Sequence, residues 1–200
     1  MLIKPLKNLK LKSELKNFLR QNNESLIDII LFGSSLKGKD SPKDLDIILL
    51  FKEKRDINLS YALSQKIKKL GLYPEIVDKT YNELFQNSFI AREAILSEGF
   101  SIKNEKFIAN GLGYIIYFLF RYDLKNFNKS QRMRFYYALY GRNNNLVGVL
   151  TELKAVKFSD TVILCPLENV YKMKSFFENL KINFVEFPII IPERIKNILN

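Results

Sequence analysis

Two short runs of isoleucine and leucine, residues 26–32 (LIDIILF) and 45–51 (LDIILLF), frame a polar loop near the start of the chain. Each run has the length of a strand, is apolar almost throughout and is bounded by turn formers, which is how strands buried in a sheet read. Side chains of a strand alternate between its faces, so Asp44 and Asp46 share one face while Leu45 and Ile47 turn to the core. Two neighbouring carboxylates repel each other unless a cation lies between them. Whatever this chain folds into has to place buried strands beside a charged loop.

The loop itself reads FGSSLKGKDSPKDLDI from Phe32 to Ile47. Gly33-Ser34-Ser35 is a turn expected to open a short helix, whose first N–H groups and a serine hydroxyl can hold a phosphate. Lys37, Lys39 and Lys43 crowd the same loop. Hard divalent ions such as Mg²⁺ take oxygen ligands, typically one or two carboxylates together with substrate phosphates. A phosphate cradle joined by one short loop to a metal-binding carboxylate pair describes a site for a nucleoside triphosphate.

The pattern resembles the DNA polymerase beta-like nucleotidyltransferase superfamily. Its signature is an apolar residue, Gly, then Gly or Ser, a spacer, and Asp, apolar, Asp or Glu, apolar. Phe32, Gly33, Ser34, a nine-residue spacer, Asp44, Leu45, Asp46 and Ile47 fill it here. Lys37-Gly38 stands where minimal members of the superfamily carry Arg-Gly or Lys-Gly. The order of helices and strands continues the agreement to about residue 100.

The resemblance implies an α/β (α+β) fold, a nucleotidyltransferase-type mixed sheet with flanking helices. It also implies a third carboxylate on the next strand. After a helix over residues 58–70, the run 72–77 (LYPEIV) reads as that strand, and Glu75 stands about as far ahead of Thr80, which is expected to open the next helix, as in the family. Asp78 is the competitor, but three residues along a strand puts it on the opposite face. On this resemblance Asp44, Asp46 and Glu75 are the catalytic and metal-binding residues of a two-metal Mg²⁺ site. Gly33, Ser34, Ser35, Lys37 and Lys43 bind the nucleotide, with Ser34 holding the triphosphate.

Composition excludes other chemistry. The chain has no histidine and one cysteine, Cys165. Histidine-based general bases and metal sites, disulfide frameworks and cysteine zinc clusters are therefore ruled out. Cys165 reads as a small buried hydrophobe. No stretch has the length and apolarity of a membrane span, and MLIKPLKNLKLK lacks the cleavage pattern of a secretory signal. Cytoplasmic residence is the expectation. Residues 4–21 suit an amphipathic helix, with Leu9, Leu11, Leu15, Phe18 and Leu19 on or near one face.

The net charge of +11 is unevenly spread, +4 over the first hundred residues and +7 over the second. In the densest basic stretch Arg121, Lys125, Lys129, Arg132, Arg134 and Arg142 meet only Asp123 as an acid, and Tyr122, Phe127, Phe135, Tyr136, Tyr137 and Tyr140 are interleaved. Cations that contact phosphates and rings that stack on unpaired bases would make this an acceptor-binding, RNA-contacting surface. The same residues also suit amphipathic helices whose aromatics are core, since Phe135, Tyr136 and Tyr140 recur at helical spacing.

A nucleotidyltransferase domain over residues 1–104 is thus expected, closed by a helix at 88–97 and a strand at 99–102. A smaller basic C-terminal domain follows over 105–200, of unrecognised family. Its expected parts are helices at 106–121 and 129–140, a loop at 141–145, then a β-α-β unit: strand 161–165, helix 167–180, and strand 182–191 interrupted at Pro188. Two functions compete. One is Mg²⁺-dependent transfer of a nucleoside monophosphate, from ATP as the expected donor, to a hydroxyl of RNA, another anionic acceptor or a protein. The other is a nucleic-acid-binding module on an inactive nucleotidyltransferase fold.

Overall fold

The computed structural model describes residues 4–38, 44–142 and 147–199, so Lys39, Lys43 and the expected loop residues 143–145 lie outside the described residues. The chain divides into two compact units, Met1–Leu112 and Gly113–Asn200.

The first unit begins with a 3-10 turn, Lys4–Lys7, and helix α1, Leu9–Gln21. Asn8 caps α1 by accepting the N–H groups of Lys10 and Leu11 at 3.1 and 3.2 Å, which satisfies donors that have no partner inside the helix. Leu11, Leu15 and Phe18 form its buried stripe. Leu9, expected on that face, is instead exposed. Strands β1 (Leu26–Phe32) and β2 (Asp44–Phe51) pair antiparallel, and helix α2 (Ile57–Lys68) carries the chain back to β3 (Tyr73–Thr80), parallel to β2. Two-residue strands β4 (Phe100–Ser101) and β5 (Lys106–Phe107) extend the mixed five-stranded sheet, ordered β3-β2-β1-β4-β5.

The alternation of β2 distributes its residues between two cores. Leu45, Ile47, Leu49 and Phe51 join Leu11, Leu15, Leu63 and Ile67 under α1 and α2. Ile48 and Leu50 join Ile30, Phe89 and Ile95 on the other face. That second face is covered at one end by helix α3 (Arg92–Glu98). At the other end its cover gives out, and Asp44 and Glu75 are exposed there.

The second unit is built around strand β6, Tyr114–Asp123. The helix expected over 106–121 does not form. After β5 the chain makes only one helical turn, α4 (Ile108–Gly111), before β6. YIIYFLFRYD is rich in aromatic and β-branched residues, and its buried positions Ile116, Phe118, Phe120 and Tyr122 alternate with period two, so it packs as a strand. Helix α5 (Lys129–Tyr140), capped at both backbone and side chain by the Asn128–Gln131 box, forms where expected. A short helix α6 (Val149–Glu152), strands β7 (Val156–Ser159) and β8 (Val162–Pro166), helix α7 (Val170–Asn179) and strand β9 (Asn183–Pro192) follow. The sheet order is β7-β8-β6-β9 with each neighbouring pair antiparallel, so β8 and β9 are parallel to each other and, joined by α7, form the expected β-α-β unit with β6 inserted between its strands. Pro188 does not interrupt β9. The strand lies at the sheet's edge, where a residue without an N–H is tolerated. Phe120 and Tyr122 pack against Phe177, and Tyr122 against Phe135, on the helix-covered face.

The division at Leu112 falls beyond the expected end of the first domain at 104. The β4–β5 hairpin pairs with β1, and α4 contacts α3, so these segments complete the first unit. Two helical expectations also shift. Helix α3 begins at Arg92 instead of Ser88, and Thr80 ends β3 instead of opening a helix. Thr80 donates its N–H and Oγ1 to Glu83 at 2.7 and 3.1 Å, which starts a single 3-10 turn, Asn82–Phe85. Among the described residues no helix is long and apolar enough to cross a membrane.

Candidate active site

Parallel pairing of β2 with β3 sets Asp46 directly beside Glu75, and Asp44 beside Tyr73. Partners in register on adjacent strands lie about 4.8 Å apart and point to the same side. Asp44, Asp46 and Glu75 therefore share one face. Asp78 falls on the opposite face, where its carboxylate accepts a hydrogen bond from Ser60 of α2. The competitor for the third carboxylate is thus committed to holding helix against strand.

The turn after β1 closes over the same face, because Phe32 pairs with Asp46. Gly33 has φ +80°, and a Cβ built on it would stand 1.9 Å from Asp46 Oδ2. Only glycine fits, for both its backbone conformation and the carboxylate packed against it. The expected short helix is a single 3-10 turn, Ser34–Leu36. Within it Ser34 is exposed, whereas Ser35 is 1 % exposed and its Oγ has no protein hydrogen-bond partner. Lys37 follows, half-buried, and its Nζ lies 2.8 Å from Glu98 Oε1.

The electrostatics follow from this crowding. Partial burial, then the negative charges of Glu75 and Asp44, push the Asp46 carboxyl above its usual value, while Lys37 pulls it down. The folded chain thus assembles negative charge that a divalent cation would relieve. Among the described residues no group of three or more Asp, Glu, His or Cys could hold a metal ion by itself. Mg²⁺ fits such a site nonetheless, since it needs one or two carboxylates and completes its shell with phosphate oxygens and water.

Glu98 was not legible as part of this region. It ends α3, is 5 % exposed and pairs with Lys37. In the sequence it falls between the expected helix at 88–97 and the strand at 99–102, and no local spacing connects it to Lys37.

The basic residues of the second unit are distributed over several elements. Arg121 lies on β6 and is exposed; Lys125 pairs with Asp123 at 3.4 Å. Lys129, Arg132 and Arg134 are exposed on α5, and the Arg132 Nε donates to the carbonyl of Phe127. Arg142 lies 5.4 Å from the ring of Tyr137. Tyr122 and Phe135 are core, as the helix-stripe reading has it, but Tyr136, Tyr137 and Tyr140 are 39, 43 and 46 % exposed. Cys165 is buried, which pushes its thiol well above the ordinary range.

Residues 12–136, more than half of the chain, match the family model of the nucleotidyltransferase domain. No curated protein matches the chain. Among solved structures it is similar to the toxin–antitoxin MntA–HepT, at 22% identity over 51% of this chain and 81% of that one with a TM-score of 0.33. It is also similar to a complex of MNT antitoxin with tri-AMPylated HEPN toxin from Shewanella oneidensis, at 21% identity over 51% and 81% with a TM-score of 0.34. A toxin–antitoxin structure with AMP-PNP gives 24% over 50% and 83%, TM-score 0.35. Those likenesses are too distant to assign a role, and it is the match over residues 12–136 that decides the matter: the chain belongs to the nucleotidyltransferase domain family.

Proposed function

We propose that the chain transfers a nucleoside monophosphate from a nucleoside triphosphate, with ATP as donor, to a hydroxyl of an RNA or protein acceptor, using Mg²⁺. The observation that carries this reading is the register of β2 on β3, which sets Asp46 beside Glu75 and under Gly33. Asp44 and Asp46 would hold the metal that the nucleotide phosphates share, and Glu75 would join a second. The acceptor oxygen bonds to the α-phosphorus as the α–β phosphoanhydride bond breaks and pyrophosphate leaves; Mg²⁺ bound there would neutralise the charge on the phosphates.

The remaining roles belong to the chain's own groups. Ser34, exposed on the turn, offers its hydroxyl to the triphosphate, and Lys37 supplies positive charge on the same side. Ser35 is buried beside Ser34, and its Oγ has no protein hydrogen-bond partner. Lys43, just ahead of β2, is placed with the nucleotide-binding residues by the sequence pattern. Glu75, exposed beside Asp46, orients the acceptor hydroxyl and accepts its proton. Catalysis is then mainly positioning and charge neutralisation. An enzyme that draws on ATP and Mg²⁺ works where both abound, which supports the reading of a cytoplasmic enzyme.

The test is incubation of the purified chain with each α-labelled triphosphate, Mg²⁺ and either total RNA or lysate. Label should appear on RNA or protein with ATP, and should vanish in Asp46→Ala and Glu75→Gln but persist in Asp78→Asn. Label that survives Glu75→Gln and vanishes in Asp78→Asn would reverse the assignment of the third carboxylate. No transfer from any triphosphate, with RNA still bound, would establish the competing reading of an inactive nucleic-acid-binding fold.

A further inference from the structure

Helix α5 has an unusual distribution of apolar side chains. Only Phe135 and Leu139 are buried. Lys129, Met133, Tyr136 and Tyr140 recur at spacings of three and four, so they form one stripe along the helix. That stripe lies about a quarter turn or more away from the buried pair. Met133 is 44 % exposed, and Tyr136 and Tyr140 are 39 and 46 % exposed. A solvent-facing helix stripe ordinarily carries charged or polar residues. Here it carries rings: Tyr136 touches the buried Phe135 at 5.6 Å between centroids, yet it and Tyr140 both remain part-exposed.

The rings are also arranged. Tyr136 and Tyr140 stack with centroids 6.2 Å apart and planes 20° apart, and Tyr137 beside them is covered by the guanidinium of Arg142. Lys157 of β7 hydrogen-bonds Tyr140 and Asp160, so the Asp160 carboxylate is already engaged. Among the described residues, Lys129, Arg132 and Arg142 are paired with no carboxylate. Unpaired cations bordering a row of part-exposed rings complement a ligand that carries phosphates along a backbone and offers flat unpaired bases.

We infer that the exposed stripe of α5 is a binding platform for single-stranded nucleic acid: bases stack on Tyr136 and Tyr140, and Lys129, Arg132 and Arg142 contact the phosphates. This rests on the nucleotidyl-transfer reading in one respect, that it makes the acceptor a single strand. A duplex does not fit, because its bases are already stacked on one another and cannot lie on the tyrosines. Arg134 falls outside the stripe, and Arg121 and Lys125 are on other elements, so the sequence-level patch narrows to one helix face and Arg142.

The experiment is fluorescence anisotropy of the full chain with a labelled single-stranded 20-mer RNA, the same sequence as DNA, and its duplex. Single strands should bind, the duplex at least about tenfold more weakly. Tyr136→Leu and Tyr140→Leu keep apolar bulk but lose the ring, and each should weaken binding about tenfold, the loss expected for one stacked base. Tyr136→Phe and Tyr140→Phe should bind like wild type. Each of Lys129→Gln and Arg142→Gln should flatten the salt dependence by roughly 0.7 in log–log slope. Circular dichroism of each variant separates lost binding from lost fold. RNA and DNA bound equally would mean that the platform reads bases and phosphates alone; RNA preference would add a contact to the 2′-hydroxyl, and either supports the platform. Duplex bound as tightly as single strand, or leucine variants that bind like wild type, would overturn it. Binding of a fluorescent ATP analogue by the same wild-type sample is measured in parallel. Loss of nucleotide binding alone would refute the triphosphate site and leave the platform standing, and loss of RNA binding alone would do the reverse.

Discussion

Replacing Gly33 with alanine separates the cost of a backbone conformation from the cost of moving Asp46, the carboxylate proposed to hold the metal. An L-residue at φ +80°, ψ −162° lies in a region essentially reserved for glycine and is strained by about 1–3 kcal/mol. The new Cβ would also stand 1.9 Å from Asp46 Oδ2 and 2.8 Å from its Cγ. Ordinary contact requires the carboxylate to retreat by roughly 1.5 Å. Asp46 Cβ is fixed by β2, so the retreat must come from side-chain rotation, which takes the carboxylate out of the position it holds between the Gly33 turn and Glu75. Displacement of a reacting group by about 1 Å costs on the order of a hundredfold in rate. Gly71→Ala is the control, because Gly71 has φ +77° but nothing within 4 Å of a Cβ. Both variants should lose several degrees of Tm by calorimetry. Gly33→Ala alone should lose nucleotidyl transfer, by about a hundredfold or more, measured with labelled ATP at saturating Mg²⁺. Transfer by Gly33→Ala within about threefold of wild type would refute the close packing of this turn on a catalytic Asp46.

Three further outcomes follow from the same geometry. Asp46→Asn should lower transfer by about a thousandfold or more, yet in metal-free buffer at pH 7 its Tm should be no lower than wild type, since it removes a part-buried charge and its repulsion from Glu75 and Asp44, which together raise the Asp46 carboxyl; a fall of several degrees in calorimetry would contradict this. Lys37→Met leaves the buried Glu98 carboxylate without this cation and should cost about 3–5 kcal/mol in urea unfolding. Glu98→Gln leaves a half-buried lysine that water can reach, and it should cost less. Glu105, held by Lys12 and Lys16 of α1 at 2.6 and 2.7 Å, has its carboxyl lowered from 4.5 to about 2. The folded value is the depressed one, so the stabilisation is present above pH 4.5 and lost as pH falls toward 2. The Tm difference between wild type and Glu105→Gln should shrink over that window and also shrink with added salt.

What was legible in the sequence was local. Asp44 and Asp46 share a face because a strand has period two, and Gly33-Ser34 makes a turn because of its residue types. The β1, β2, α2 and β3 segments announce themselves by apolar runs and caps, and Asp56 does cap α2 at 2.9 Å. Residues 106–121 misled for the same reason: an apolar, aromatic run is compatible with a helix or a strand, and pairing with β8 and β9 decided for the strand. Pro188 misled because a proline stops a central strand but not an edge one, and edge position is a property of the sheet.

The sequence by itself determined the chemistry on offer: carboxylates beside a Gly-Ser turn, with no histidine and no cysteine pair to do anything else. Only the tertiary structure decided which groups meet. Glu75 rather than Asp78 shares the face of Asp46 because the β2–β3 register places it there, and register is fixed by the burial of whole strands. Glu98 joins Lys37, and Tyr136 and Tyr140 face solvent while Phe135 does not, because long-range packing selects one arc of each helix for the core. Spacing along a chain reports neighbours within an element; neighbours between elements exist only once the cores have formed.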